Sequence, residues 1–273
     1  MRLSIPASIA NLGPGFDVLA MAVDLWLEVE AVPAEAPDWT FEGEGAAWLG
    51  ATPNLLSHLP MRGRVRNQVP IGVGLGSSAA ARLAQVRLCN AAADRDAADL
   101  MEAAAAAEGH ADNVGAALHG GLVAVAGGRI YRLPVPPLAV ALLVAAEPYP
   151  TERAREVLPA SVSRREAVDA AGRIAALVHV LHTGDWPRLG DAMRDPLYQE
   201  RRLALFPWAA AVIKAAVETG AYGAALAGAG PTVFALCEPG RENGVAAAMR
   251  DAGAGNGRPL VTRPTANGMR VEP

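Results

Sequence analysis

Residues 70–81 carry the strongest local signal for chemistry in this sequence. They read PIGVGLGSSAAA, in which Gly72, Gly74 and Gly76 alternate before two serines and a run of alanines. Glycine lets a backbone approach a ligand closely, and the first N–H groups of a following helix, at the positive end of its dipole, attract phosphate. The pattern predicts a phosphate-binding loop. A plain flexible loop with a serine cap on the next helix is the alternative that stays open.

This loop differs from two other phosphate-binding patterns. It is not a Walker A loop, because no Gly-Lys-Ser/Thr follows it. It also does not fit the dinucleotide-binding fingerprint, since Ser77 stands where the third glycine is required. Moreover, no strand is predicted directly before the loop.

Two further segments gather polar side chains. Asn11 and Asp17 lie in the Gly/Pro-rich bend of residues 6–17, PASIANLGPGFD, where they can point into a cleft or simply cap a turn. Residues 108–113, EGHADN, hold two carboxylates, an imidazole and an amide. This set suits a site for a metal ion and a substrate hydroxyl, although the end of a helix with a polar surface loop would read the same way.

Hydrophobic periodicity predicts the elements that must position these segments. The predicted strands cover the later part of 17–32 and residues 39–44, 122–126, 129–133, 138–145, 223–226 and 233–237. The predicted helices cover residues 77–93, 97–107, 113–118, 152–158, 164–181, 187–193, 208–218 and 241–252. Because strands and helices are mixed without regular βαβ alternation, we expect an α+β fold. Prolines at 134, 136 and 137 predict a boundary between domains 1–134 and 135–273.

Composition narrows the class of protein. Of 273 residues, 52% are hydrophobic and 19% charged, which supplies a core and excludes wholesale disorder. The net charge of −4 gives no basic field for nucleic acid or anionic lipid, so we expect neither as a partner. Cys89 and Cys237 have no CxxC partner. The N-terminus has no signal-peptide pattern, and the apolar run 135–146 is too short to span a bilayer, so we expect a soluble cytoplasmic protein.

Together, these segments resemble the GHMP kinase superfamily, and within it the homoserine kinase family. PASIANLGPGFD is the most discriminating stretch, and PIGVGLGSSAAA and EGHADNV also match. Residues 227–232, AGAGPT, match a third motif with Ala227 in place of its usual serine. The resemblance runs from about residue 3 to about residue 240. It implies an N-terminal ATP-binding domain with a left-handed βαβ unit, a ferredoxin-like C-terminal domain, and an active site between them.

The resemblance also implies an activity. It is ATP-dependent phosphorylation of the side-chain hydroxyl of L-homoserine to O-phospho-L-homoserine, a step of threonine biosynthesis, with Mg²⁺ as the metal ion. The family further suggests a homodimer. Two alternatives stay open: a GHMP kinase for another small alcohol, and a catalytically inactive nucleotide-binding relative.

Finally, the resemblance implies site residues at matching positions. The expected ATP-binding residues are Asn54, Pro70, Gly72, Gly74, Leu75, Gly76, Ser77 and Ser78. The expected metal ligands are Ser78 and Glu108, with Glu102 as an alternative to Glu108. The expected substrate-binding residues are Asn11, Asp17, His110, Thr151, Arg155 and Arg202, and the expected catalytic residues are Asp112, Asn113 and Arg155.

These roles make chemical sense for a zwitterionic alcohol. Its carboxylate would take the guanidinium forks of Arg155 and Arg202, and its ammonium would take Asp17. Phosphoryl transfer depends mainly on positioning and on charge neutralisation, so a strong general base is not obligatory. Asp112 is the candidate if there is one.

Overall fold

The computed structural model of the chain describes residues 1–90 and 96–272. Its strands are β1 Arg2–Asn11, β2 Gly15–Pro33, β3 Asp38–Gly43, β4 Met61–Asn67, β5 Leu122–Ala126, β6 Arg129–Leu133, β7 Ala139–Ala145, β8 Gly223–Leu226, β9 Val233–Cys237, β10 Gly257–Thr262 and β11 Arg270–Glu272. Its helices are α1 Ala46–Ala51, α2 Ser77–Cys89, α3 Ala97–Glu108, α4 Asp112–His119, α5 Thr151–Glu156, α6 Arg164–Thr183, α7 Leu189–Ala192, α8 Gln199–Leu203, α9 Pro207–Glu218 and α10 Glu242–Ala252. None of the helices described is long and apolar enough to cross a membrane.

The first sheet is built around β2, which at 19 residues is long enough to serve two sets of neighbours. The order β11-β1-β2-β4-β3 runs across the sheet, while β5 pairs with the first half of β2 and carries β6. From Asp24 onward, side chains of β2 alternate between buried and half-buried, as expected of a half-buried strand. Helices α2 and α4 pack against β1. The C-terminal strand β11 joins this sheet, pairing with β1.

The second sheet is antiparallel and has the order β10-β7-β9-β8. Along the chain, β7 is followed by a helical segment, by β8 and β9, by helix α10 and finally by β10. This order is the ferredoxin-like arrangement that the family resemblance implied. All seven residues of β7 are buried. In the first sheet, β3 and β4 pair in parallel across α1, which forms a βαβ unit. The α+β class is therefore confirmed.

The strand before the glycine loop was missed by sequence reasoning. The expectation that none precedes it is wrong, because β4 ends at Asn67, directly before the loop. Gly63, Val65 and Asn67 face inward while the residues between them are arginines. With one large apolar residue on its buried face, β4 lacks the alternation by which a strand is usually recognised.

Two other boundaries differ from the sequence expectations. Residues 6–11 belong to β1 rather than to a bend, so the turn is confined to residues 12–14. The helix expected over 77–93 ends at Cys89, and residues 91–93 lie outside the described residues. The position that caps this helix is occupied by Gly76, not by a serine.

Candidate active site

A cleft between the two sheets collects almost all the side chains that sequence reasoning singled out. It is formed by the glycine loop, by the start of α2, by the segment between α3 and α4, by the β1–β2 turn, and by α5 and α8. Its walls are Ala10, Asn11, Asp17, Gly72, Gly74, Gly76, Ser77, Ser78, Glu108, His110, Asp112, Asn113, Thr151, Arg155, Arg202, Gly228 and Ala229. The expected residues outside these walls are Asn54, Pro70 and Leu75, together with Glu102, the alternative metal ligand.

The glycine loop leads into the positive end of a helix. Gly72, Gly74 and Gly76 all have positive φ values, of 70°, 91° and 71°. The first intrahelical hydrogen bond of α2 runs from the Ala80 N–H to the Gly76 carbonyl. The N–H groups of Ser77 and Ser78, which line the cleft, have no partner within the helix, so they are available to an anion. The Ser77 hydroxyl accepts the N–H of Gly72 and thereby closes the loop.

The same glycines are needed for packing within the protein. A Cβ on Gly74 would lie 2.2 Å from the carbonyl oxygen of Ala227, and one on Gly76 would lie 2.2 Å from the hydroxyl of Ser8. Leu75, between them, is fully buried in the core. The glycines of this loop therefore allow its backbone to pack closely against other segments of the protein. This packing fixes the loop before any ligand binds.

Ser78 and Glu108 bring two oxygen atoms together at the start of α2. The Ser78 hydroxyl donates a 2.9 Å hydrogen bond to Glu108 Oε2. Glu108 is the last residue of α3 and its side chain is 9% exposed, whereas Glu102 is exposed and does not line the cleft. Within residues 1–90 and 96–272, no group of three or more Asp, Glu, His or Cys side chains is placed to hold a metal. A hydroxyl and one carboxylate fit Mg²⁺, which prefers oxygen ligands and shares them with phosphates.

His110 and Asp112 form a hydrogen-bonded pair beside Glu108. The Nδ1 atom of His110 lies 3.0 Å from Asp112 Oδ1, and its Nε2 atom lies 4.0 Å from Glu108 Oε1. The hydrogen bond to Asp112 raises the pKa of His110, against the opposing effect of burial. Asp112 is 1% exposed and its Oδ1 also accepts the backbone N–H of Asn113.

Ser8 determines how Asn113 presents its amide. Ser8 is completely buried, and its hydroxyl donates a 2.8 Å hydrogen bond to Asn113 Oδ1. Because the amide oxygen accepts this bond, the amide nitrogen is the end left to face the cleft that Asn113 lines. Asn113 therefore offers a donor to the site.

The cleft also carries two guanidinium groups and one further carboxylate. Arg155 donates two hydrogen bonds to Asp17, of 2.7 and 2.9 Å, in a fork. Arg202 is 4% exposed and donates to the backbone carbonyls of Gly228, at 3.0 Å, and Ala154, at 3.4 Å. Burial and the positive charge of Arg155 lower the pKa of Arg202. The site thus holds the Asp17–Arg155 ion pair next to the guanidinium of Arg202. Among the described residues, the hydrogen-bond partners of Arg202 are backbone carbonyls.

A second cavity, of about 610 Å³, opens on the other side of Ser77 and Ser78. It is largely apolar, with walls that include Phe41, Trp48, Leu49, Leu55, Val69 and Ile71. Asn54 lies in this wall, but its amide is bound to the backbone of its own loop through Leu49, Leu56 and Ser57. Pro70 is buried behind the loop and lines neither cavity. A largely apolar cavity of this size has room for a nucleotide base.

Known proteins match the chain along nearly its whole length. Family models described as "GHMP kinases N terminal domain" and "GHMP kinases C terminal" match residues 46–121 and 174–255. The chain is 39% identical to homoserine kinase of Thermus thermophilus over 95% of this chain and 94% of that protein. It is 37% identical to homoserine kinase of Moorella thermoacetica over 93% and 92%. The chain belongs to the homoserine kinase family of GHMP kinases.

Solved structures of homoserine kinases share the fold. The crystal structure of homoserine kinase from Cytophaga hutchinsonii superposes with a TM-score of 0.85 and 27% identity, covering 100% of this chain and 97% of that one. A putative homoserine kinase from Listeria monocytogenes gives a TM-score of 0.78 and 28% identity, covering 100% and 99%. The mevalonate kinase of L. major has a TM-score of 0.71 with 14% identity, covering 97% and 96%, which is a likeness of fold alone.

Two residues of this site, Ser8 and Gly228, were not predicted from the sequence. Ser8 lies inside the PASIANLGPGFD motif and faces inward from β1. A strand predicted at this position would have indicated that orientation, but a bend was expected there instead. Gly228 contributes a carbonyl that accepts hydrogen bonds from both Asn11 and Arg202. A backbone carbonyl has no signature in side-chain chemistry, so only the AGAGPT motif match pointed to this segment.

Proposed function

We propose that this chain transfers the γ-phosphoryl group of ATP to the side-chain hydroxyl of L-homoserine, giving ADP and O-phospho-L-homoserine, the step of threonine biosynthesis. The observation that carries the proposal is the composition of one cleft. A helix N-terminus with the Ser78–Glu108 pair forms one part of the wall, and two guanidiniums with Asp17 form another. The first part suits a metal-bound triphosphate and the second suits an amino-acid zwitterion.

On the nucleotide side, the free N–H groups at the start of α2 bind the phosphates. The base lies in the apolar cavity beyond Ser77 and Ser78, between residues such as Phe41 and Ile71. Ser78 and Glu108 would hold a Mg²⁺ ion, which would supply charge neutralisation to the phosphates.

On the amino-acid side, Asp17 and Arg155 place opposite charges next to each other. The substrate carboxylate takes the guanidinium of Arg155 and the remaining donors of Arg202, while the ammonium takes Asp17. The substrate thus replaces one ion pair with two new ones, so the polar groups of the cleft stay paired on binding. This arrangement favours a molecule with both charges on one carbon.

The reacting hydroxyl lies near α4 in this proposal. Asp112, almost fully buried, accepts the hydroxyl hydrogen bond and orients the oxygen toward the γ-phosphorus. Asn113 donates its amide N–H to the group in transfer, because Ser8 holds the other end of the amide. These contacts are mainly positional, in keeping with a loose transition state.

A coupled ADP-release assay tests the function. Purified protein with ATP and Mg²⁺ is offered L-homoserine, mevalonate, L-serine and galactose in parallel, and the phosphorylated product is identified by mass spectrometry. We expect the highest kcat/KM with L-homoserine. Faster turnover of mevalonate or galactose would assign the site to another alcohol, and binding of ATP without turnover of any of the four would indicate an inactive relative.

A further inference from the structure

Phe16 lies close to both guanidinium groups of the cleft without lining the cleft itself. The Cζ atoms of Arg155 and Arg202 are each 5.2 Å from the centre of its ring. Both arginines line the cleft, and Phe16 is not among the wall residues. Phe16 therefore contacts two residues of the cleft wall, Arg155 and Arg202, without being part of the wall itself.

The ring is held in place from two directions. Its centre is 4.1 Å from that of Tyr198, with 31° between the ring planes. The N–H of Tyr198 is in turn bonded to the carboxylate of Asp195, which also caps Leu197 and Gln199 at the start of α8. On the other side, Asp17 has a φ of 54°, so the backbone turns sharply just after Phe16. The Phe16 ring therefore packs against the segment that leads into α8, the helix that carries Arg202.

The two guanidinium groups repel each other, although Arg155 also forms an ion pair with Asp17. Arg155 repels Arg202, whereas the carboxylates of Asp195 and Asp17 attract it without being among its hydrogen-bond partners in the described residues. The face of an aromatic ring carries partial negative charge and attracts cations within about 6 Å. Phe16 therefore attracts both guanidiniums and offsets part of their mutual repulsion.

Resting on the function proposed above, we propose that Phe16 is a positioning residue that holds Arg155 and Arg202 ready to grip the substrate carboxylate between them. A planar carboxylate has two oxygens, and each can take a guanidinium from a different side. In this way Phe16 determines selectivity for an amino acid over the amino alcohol that lacks the carboxylate.

The test compares L-homoserine with 3-aminopropan-1-ol, which is homoserine without its carboxylate. Phe16→Leu removes the ring and keeps an apolar side chain, whereas Phe16→Tyr keeps the ring. Because Phe16→Leu abolishes the attraction of the ring for both guanidiniums, we expect it to raise the KM for L-homoserine about fivefold to thirtyfold and to leave the KM for ATP unchanged. In Phe16→Leu, the kcat/KM for 3-aminopropan-1-ol stays within about twofold of wild type. Phe16→Tyr, which keeps the ring, has the wild-type KM for L-homoserine.

Controls separate this role from a structural one. Tyr131→Leu removes an aromatic ring that is 50% exposed on β6, away from the cleft, and leaves both substrates unaffected. Replacement of Phe16 by pentafluorophenylalanine keeps the shape but makes the ring face electron-poor, so it should raise the KM for L-homoserine even if Phe16→Leu fails to fold. The proposal is overturned if this variant has the wild-type KM, or if both substrates lose equally. A wild-type protein that does not phosphorylate L-homoserine would instead refute the proposed function.

Discussion

Arg155→Ala is the most direct test of how the cleft binds an amino acid. In the structure, the guanidinium of Arg155 makes a two-bond fork with Asp17, and both side chains are more than one third exposed, at 38% and 37%. Removing the guanidinium deletes the fork that would bind the substrate carboxylate. It also releases Asp17, which then remains available to the substrate ammonium.

The size of the effect follows from the bonds exchanged. A hydrogen bond to a charged group contributes about 1.5–3 kcal/mol, and a fork supplies two of them. Binding first breaks the Asp17 pair, and an ion pair of this exposure contributes about 1 kcal/mol at most. Taking the lower value for both new bonds and subtracting the old pair leaves about 2 kcal/mol, or about a thirtyfold loss in kcat/KM. Arg155→Lys keeps the charge without the fork, so it should fall between wild type and Arg155→Ala.

The assay is the coupled ADP-release measurement at saturating ATP, with L-homoserine and 3-aminopropan-1-ol as alternative substrates. We expect Arg155→Ala to lower kcat/KM for L-homoserine about thirtyfold. For the amino alcohol, kcat/KM should be unchanged or higher, because Asp17 no longer competes for its ammonium with an arginine. An equal loss with both substrates would show that Arg155 acts on phosphate or on the fold, and the binding mode argued here would be wrong.

Three further predictions concern the rest of the cleft. Glu108→Gln should lower turnover more than about a hundredfold and weaken the Mg²⁺ dependence of turnover. The control variant Glu102→Gln, on the same helix, should change neither quantity. Equal effects of the two variants would show that Glu108 is not the metal ligand. Gly76→Ala should lower Tm and ATP affinity by calorimetry far more than Gly127→Ala, which shares a positive φ but meets no atom within 4 Å; similar Tm values would contradict the packing seen at Ser8. Because the pKa of His110 is raised in the fold, its stabilising effect is complete below about pH 6.5 and is lost as pH rises through the folded-state pKa. Urea unfolding of wild type and His110→Gln should therefore differ more at low pH than at high pH, and a difference that grows with pH would be contrary evidence.

Elements with a strong local pattern could be predicted from the sequence. The Gly127–Gly128 dipeptide between two apolar runs predicted a hairpin, and β5 and β6 have the predicted bounds. Strands β8 and β9, which flank the AGAGPT turn, also match. In each case the local sequence carries the signal for the strands and the turn between them. Strand β4 shows the opposite case, because its alternating arginines carry no apolar signal and its place depends on pairing with β2 and β3.

Motif likeness predicted which side chains meet in the cleft, but not what they do to one another. Asp17 and Arg155 were each expected to bind part of the substrate, and the structure shows them bound together although 138 residues separate them. Likewise, the alternating glycines suggested room for a ligand, whereas the atom nearest to a Cβ on Gly76 belongs to Ser8. Both facts depend on contacts between distant segments, which no local pattern encodes.

The AGAGPT segment explains why a motif without a reacting side chain belongs to the site. The N–H of Gly228 bonds to the Ala10 carbonyl at the end of β1, and the N–H of Thr232 bonds to the Val73 carbonyl in the glycine loop. The buried hydroxyl of Thr232 accepts the N–H of Ala145, the last residue of β7. One short turn therefore ties the glycine loop and β1 of the first sheet to β7 of the second sheet. Since phosphoryl transfer depends on the relative placement of nucleotide and alcohol, a turn that fixes this distance acts on the reaction through geometry alone.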